Sequence, residues 1–201
     1  LHSTSRRQRQ MCIRDRAKQF EDAYAMKDQL SHVSPRTQNR NLPYTPVPPA
    51  DVLKNEPDTD FDLPQNQEWV RSIFSKWKKD GTEQPEIIPL QIGAETVVCE
   101  SRYPYTDRCQ DDEVCICEMS QADSAQVEKI IEIAEADPAG WRKTTLEERH
   151  RIMYEAANRL ADMRGDLIGC MCAVTGKTVI EGDVEVSEAV DYARFYTTCL
   201  L

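Results

Sequence analysis

Glycine is scarce in this chain, seven residues in 201, and the seven are scattered. A dinucleotide or nucleotide phosphate loop needs glycines close together, so that backbone N–H groups can close on the phosphates. No stretch supplies them: five residues before Gly176-Lys177, where a phosphate loop carries its first glycine, stands Met171. Long apolar runs are missing too. None approaches the ~20 residues that cross a bilayer as a helix. No signal peptide is recognisable, and a cytoplasmic protein is expected. No segment of roughly 20–50 residues repeats, which argues against a solenoid.

The charge is unevenly placed. Residues 1–16, LHSTSRRQRQMCIRDR, hold five Arg against one Asp, a net of +4, so residues 17–201 carry −14 of the overall −10. A body this acidic would repel a phosphate backbone, so nucleic-acid binding by the folded part is not expected. The opening 16 residues bury nothing by pattern. They read as a basic arm, or as a non-native tail resembling translated adaptor sequence, and the second reading is preferred.

Eight cysteines would make a disulfide framework only in an exported protein. Two Cys-x-Cys pairs invite a zinc reading. Cys170 and Cys172 lie in a predicted helix, where residues two apart point about 200° away from each other and cannot both chelate. Cys115 and Cys117 share one face of a predicted strand, but no second pair or His stands at finger-like spacing. Free thiols are expected and no metal is assigned.

In chain order, residues 17–32 read as a weakly amphipathic helix stopped at Ser34-Pro35. Residues 17–54 read as a linker from an upstream domain, proline-rich over 39–50, NRNLPYTPVPPA, with an extended, polyproline-like path. A turn-rich acidic segment, NEPDTDF (55–61), leads to a helix opened by Pro64, with Trp69, Val70, Ile73, Phe74 and Trp77 on its apolar face. Residues 87–92 and 95–99 read as a hairpin around Gly93, 101–112 as loop and 113–118 as a third strand. Asp123 or Ser124 caps a helix striped by Val127, Ile130, Ile131 and Ala134, and Asp137-Pro138 stops it.

The stretch 144–196 has the clearest order. Thr145 and Glu148 form a capping box. Met153, Ala156, Ala157 and Leu160 follow at helical spacing, Gly165 marks a break, and Leu167, Ile168, Met171 and Val174 continue the apolar pattern. Thr175-Gly176-Lys177 reads as a helix terminator, with the Lys against the helix dipole. In the last helix Val186, Ala189, Val190 and Ala193 form one stripe, and Glu185, Glu188 and Tyr192 share another face. His150, alone in its helix, reads as a surface or boundary residue.

LEERHRIMYEAANRLADMRGDL, AVTGK and EVSEAVDYARFY together resemble the amino-terminal third of the aldehyde dehydrogenase superfamily. NEPDTDF followed by IPLQIGAE resembles, within it, the L-glutamate γ-semialdehyde (1-pyrroline-5-carboxylate) dehydrogenases. Residues 101–119 depart from the pattern, lacking an Asn-Pro found in many relatives before the third strand. The resemblance implies an α/β fold, the incomplete amino-terminal portion of a Rossmann-type dehydrogenase domain over 55–201. It implies oxidation of the semialdehyde with NAD, in a full-length protein that forms a homo-oligomer. The proline-rich lead-in is what a tail leaving an upstream domain would look like, and resemblance to the bifunctional relatives implies that this domain is an FAD-containing proline dehydrogenase.

In that superfamily the nucleophilic cysteine, the oxyanion donors, the base and the dinucleotide cradle lie beyond the aromatic-ended helix. No catalytic, cofactor-binding or metal-binding residue is therefore assigned, and the chain alone is expected to be inactive. Position by position, EVSEAVDY places Glu188 on the glutamate that approaches the substrate's α-amino group, where an ammonium needs a carboxylate once water is excluded. Without the resemblance, an acidic, helix-rich and motif-poor chain reads as a non-catalytic interaction module.

Overall fold

The computed structural model describes residues 15–29, 35–110 and 114–199. The first 14 residues of the basic stretch, the stop at Ser34 and the strand start at Glu113 lie outside the described residues. The chain divides into two compact units, Leu1–Thr37 and Gln38–Leu201. In the first, helix α1 (15–25) and a 3-10 turn (Lys27–Gln29) expose all their residues, as weak amphipathicity implies.

The second unit contains α2 (Pro64–Trp77), β1 (Glu86–Ile88), β2 (Leu90–Ile92), β3 (Glu95–Val97), β4 (Arg102–Thr106), β5 (Cys115–Ser120), α3 (Ser124–Ala136), α4 (Leu146–Asp162), α5 (Arg164–Thr175) and α6 (Val179–Thr198). Three capping boxes set helix starts: Asp123 with Gln126 on α3, Thr145 with Glu148 on α4, and Thr178 with Glu181 on α6. Each satisfies backbone N–H groups that no intrahelical carbonyl reaches.

Two strand expectations are corrected. Residues 87–92 are two strands: β1 runs parallel to β5, whereas β2 pairs antiparallel with β3 as the hairpin. Pro89 stands between them, and without an N–H it cannot carry a ladder onward. Residues 101–112, expected as loop, contain β4, antiparallel to β5 at the edge of the sheet β1-β5-β4. Pro104 is tolerated there because an edge strand leaves N–H positions unpaired. The Arg102–Glu118 ion pair, at 2.9 Å, ties β4 to β5.

The core lies between α4, α5 and α6. Ala157, Ala161, Ile168, Cys172, Val186, Val190 and Ala193 form one buried cluster, flanked by Met153, Leu160, Leu167 and Met171. Small residues let the helices approach. A Cβ at Gly182 would stand 3.4 Å from both Ile168 Cγ2 and Met171 Cε, and one at Gly169 only 2.1 Å from the Trp77 indole. Gly165, expected to break α4 from α5, lies inside α5 with the Trp69 ring 3.4 Å from where a Cβ would be. The break falls at Met163, with ψ at 8°. The α3 stripe is real but uncovered: Val127, Ile130 and Ile131 are exposed.

The proline-rich stretch is extended, but residues 38–50 pack within the second unit. Asn158 of α4 acts as a strand surrogate. Its Oδ1 accepts from Val47 N at 3.0 Å and from the Tyr44 hydroxyl at 3.1 Å, and its Nδ2 donates to Val47 O at 2.9 Å. An extended proline segment has little internal hydrogen bonding of its own, so a side-chain amide is its natural partner.

Candidate functional site

Helix α6 carries opposite chemistry on its two faces. Its inner face places Asp183, Ser187, Asp191 and Arg194 among Val186, Val190 and Ala193, so charge enters the same stripe as the apolar core. Asp183 is 1% exposed, and buried charges must be paired. Its Oδ1 accepts from Arg164 Nη1 at 2.8 Å and from the Thr59 hydroxyl at 2.6 Å, and its Oδ2 from Thr59 N at 2.6 Å. Arg164 also donates to Ser187 Oγ at 3.1 Å and to Glu56 Oε1 at 3.3 Å.

Glu56 is the hub of the network. Arg194 donates to its other oxygen at 3.2 Å, and Arg40 lies 3.9 Å from the first. Asp191 accepts from Glu56 N and from Asn55 Nδ2, both at 2.7 Å. The Asn-Glu-Pro segment is thus pinned to α6 at three positions and to the start of α5 at one. Burial and the neighbouring Arg164 hold the Arg40 guanidinium below its ordinary value. Burial and Glu56 push the Tyr44 phenol up, opposed by a hydrogen bond from Arg194 at 3.0 Å. These residues bond one another and tie α6 to residues 55–59 and to the start of α5.

On the outer face Ile180, Val184, Glu188, Tyr192 and Tyr196 recur every four residues, and all are exposed. Tyr192 and Tyr196 stack with ring centroids 6.0 Å apart, and Phe195 meets Tyr196 edge-on at 5.5 Å. Glu188 is therefore a carboxylate in the middle of an apolar, aromatic stripe. Glu185, about one turn before Glu188, is a second exposed carboxylate on the same side of the helix and is paired with Lys177.

The remaining sequence candidates separate. Gly176 caps α5 in the left-handed region, φ 74°, with its N–H on Cys172 O. Lys177, expected against the helix dipole, instead ion-pairs with Glu185 of α6. His150 is buried rather than at the surface, its ring 4.6 Å from that of Tyr154. Burial pushes the thiols of Cys117, Cys170 and Cys172 up, with Cys170 and Cys115 adding to the effect at Cys117. Among the described residues no group of three or more His, Cys, Asp or Glu is arranged to hold a metal ion. Gly81, Gly93, Gly140 and Gly176 adopt positive φ singly, at separate places in the chain.

The profile of the Aldehyde dehydrogenase family matches residues 98–200, just over half of the chain. The chain belongs to the aldehyde dehydrogenase family. A 1-pyrroline-5-carboxylate dehydrogenase of Bacillus mycoides is 26% identical over 154 residues, covering 75% of this chain and 28% of that protein. One from a Geobacillus species is 28% identical over 148 residues, covering 74% of this chain and 28% of its own. The chain thus spans about 28% of the length of these curated relatives.

Solved structures agree on the fold. A 1-pyrroline-5-carboxylate dehydrogenase from Thermus with bound NAD superposes with a TM-score of 0.66 at 23% identity, over 73% of this chain and 28% of that one. Proline utilization A from Bdellovibrio bacteriovorus superposes at 0.67 and 21% identity, over 85% of this chain and 16% of that one. The architecture above is part of the aldehyde dehydrogenase fold.

The buried network was missed by sequence reasoning, although a signal existed. Asp183, Ser187 and Arg194 continue the Val186-Val190-Ala193 stripe, and charged residues on a core-facing stripe announce buried partners.

Proposed function

We propose that this chain supplies the amino-terminal portion of an NAD-dependent dehydrogenase that oxidises L-glutamate γ-semialdehyde to glutamate, and that Glu188 binds the substrate's α-ammonium. The observation that carries the reading is Glu188 itself, exposed at the centre of the aromatic stripe of α6. The names of the curated relatives support the substrate, and the NAD-bound Thermus structure supports the dinucleotide. When bound by the full-length protein, NAD would supply the hydride acceptor. The part played by this chain is to hold α6 at one rotation through Glu56, Asp183 and Arg164, so that the Glu188 carboxylate is presented in a fixed direction.

In the same reading the protein is cytoplasmic and homo-oligomeric, and is joined to an FAD-dependent proline dehydrogenase. The wider match to proline utilization A supports the fusion, because it covers 85% of this chain against 73% for the Thermus enzyme.

The test is Glu188→Gln in the full-length enzyme. Amide for carboxylate keeps shape and removes charge, and a hydrogen bond to a charged group is worth ~1.5–3 kcal/mol. KM for the semialdehyde should rise about tenfold or more, with kcat much less affected. An unchanged KM overturns the assignment of Glu188.

A further inference from the structure

The proline-rich strap over residues 43–50 takes no part in the chemistry proposed above, and its exposure repeats every third residue. Tyr44, Val47 and Ala50 are half-buried, whereas Pro43, Thr45, Pro46, Pro48 and Pro49 are exposed. Three residues per turn is the period of polyproline II, and four of these eight residues are prolines, whose rings hold φ near the value that helix needs.

The half-buried row is the one bonded to α4. The Tyr44 hydroxyl and Val47 N both donate to Asn158 Oδ1, Asn158 Nδ2 donates to Val47 O, and the Tyr154 hydroxyl donates to Ala50 O at 3.3 Å. Between Pro46 and Pro49 the backbone has a single N–H, that of Val47, and Asn158 takes it. The two outer rows are left with two x-Pro pairs, Thr45-Pro46 and Pro48-Pro49, separated by the inward spacer Val47. Arg151 of α4 is exposed beside them, lining with Pro46, Val47, Pro48 and Pro49 a groove of about 300 Å³. The neighbouring Glu155 is paired with Arg159 at 2.9 Å, so Arg151 is the cation this ridge presents.

We infer that residues 43–50 are a preformed polyproline II ligand for a partner protein domain whose groove is lined with aromatic side chains and carries an acidic group at one end. A groove of this kind takes a Pro-x-x-Pro segment by packing its prolines against aromatic rings, and it covers two of the three rows of the helix. Those are the two rows this strap exposes; the third is already spent on α4. Thr45-Pro46 and Pro48-Pro49 fill successive slots between the rings, and the Arg151 guanidinium pairs with the acid. Because α4 orders the strap before the partner arrives, the folded chain loses less conformational freedom on binding than the same residues do as a free peptide.

The test titrates the full chain into a panel of purified, isotope-labelled SH3 domains, whose grooves have this character, and follows their amide shifts by NMR. At least one domain should show saturable shifts confined to its aromatic groove, with an affinity about tenfold tighter than for a synthetic peptide of residues 42–50. Replacing Pro46→Ala and Pro49→Ala together should weaken binding at least about tenfold while the circular dichroism of the chain is unchanged. Arg151→Glu should weaken it several-fold, and Asn158→Ala, which frees the strap, should bring the affinity down to that of the peptide. Shifts with no domain, shifts outside the groove, or binding that survives the paired proline substitution would each overturn the inference and leave the strap as a spacer. Equal affinity of peptide and folded chain would overturn the preformed ligand.

Discussion

The inner and outer faces of α6 are built from the same kinds of residue and behave oppositely. Inside, Asp183 and Arg194 are buried, and their partners come from residues more than a hundred positions earlier as well as from nearby Arg164. Outside, Glu188 is as charged as Asp183 but stands exposed among Ile180, Val184, Tyr192 and Tyr196. The contrast separates architecture from candidate chemistry. A buried carboxylate with several donors has been matched by the fold, whereas an exposed one in an apolar stripe is available to a ligand.

Removing Arg164 should break this contrast most severely. Arg164→Met keeps much of the volume but leaves Asp183, Ser187 and Glu56 short of a donor in a dry environment. Deleting one partner of a buried ion pair costs ~3–5 kcal/mol, which for a chain of this length lowers Tm by about 10 °C. Thermal unfolding followed by circular dichroism checks it. A loss below about 1 kcal/mol would mean that the network does not hold α6.

A smaller effect tests the same interior without touching charge. Gly169→Ala sets a methyl where the Trp77 indole lies, at 2.1 Å, so α2 and α5 must part. Overpacking of this kind costs ~1–3 kcal/mol, and Trp77 fluorescence should shift as the ring moves towards water. Gly182→Ala serves as the control, since its neighbours at 3.4 Å include the flexible end of Met171.

Much of this arrangement was legible in the sequence. The capping box at Thr145, the apolar series in α4 and α6 and the terminator at Gly176 are local features, set by hydrogen bonds within four residues and by helical spacing. The family was legible from motifs. The switch of partners at Pro89, strand β4 and the docking of residues 38–50 on α4 were not, because each depends on pairing with distant chain. The Glu56 hub was hidden for the same reason: nothing in NEPDTDF says that Arg164 and Arg194 converge on it. The burial of His150 was not legible, because one polar residue on a helix gives no sign of which face the neighbouring helices will cover.

The smallest expected effect is the one that separates the two faces most cleanly. Glu188→Gln should leave the unfolding midpoint of this chain unchanged within about 0.5 kcal/mol, as surface substitutions away from caps and ion networks do. Asp183→Asn, a charge change of the same size five residues earlier on the helix, should cost several times more, because Arg164 and the Thr59 N–H both point at that carboxylate. If the two substitutions destabilise the chain equally, Glu188 belongs to the architecture and its carboxylate is not free for an ammonium. If only Asp183→Asn does, the outer face carries a charge that folding does not use, and a raised KM in the full-length enzyme can then be read as lost substrate binding rather than as a displaced helix.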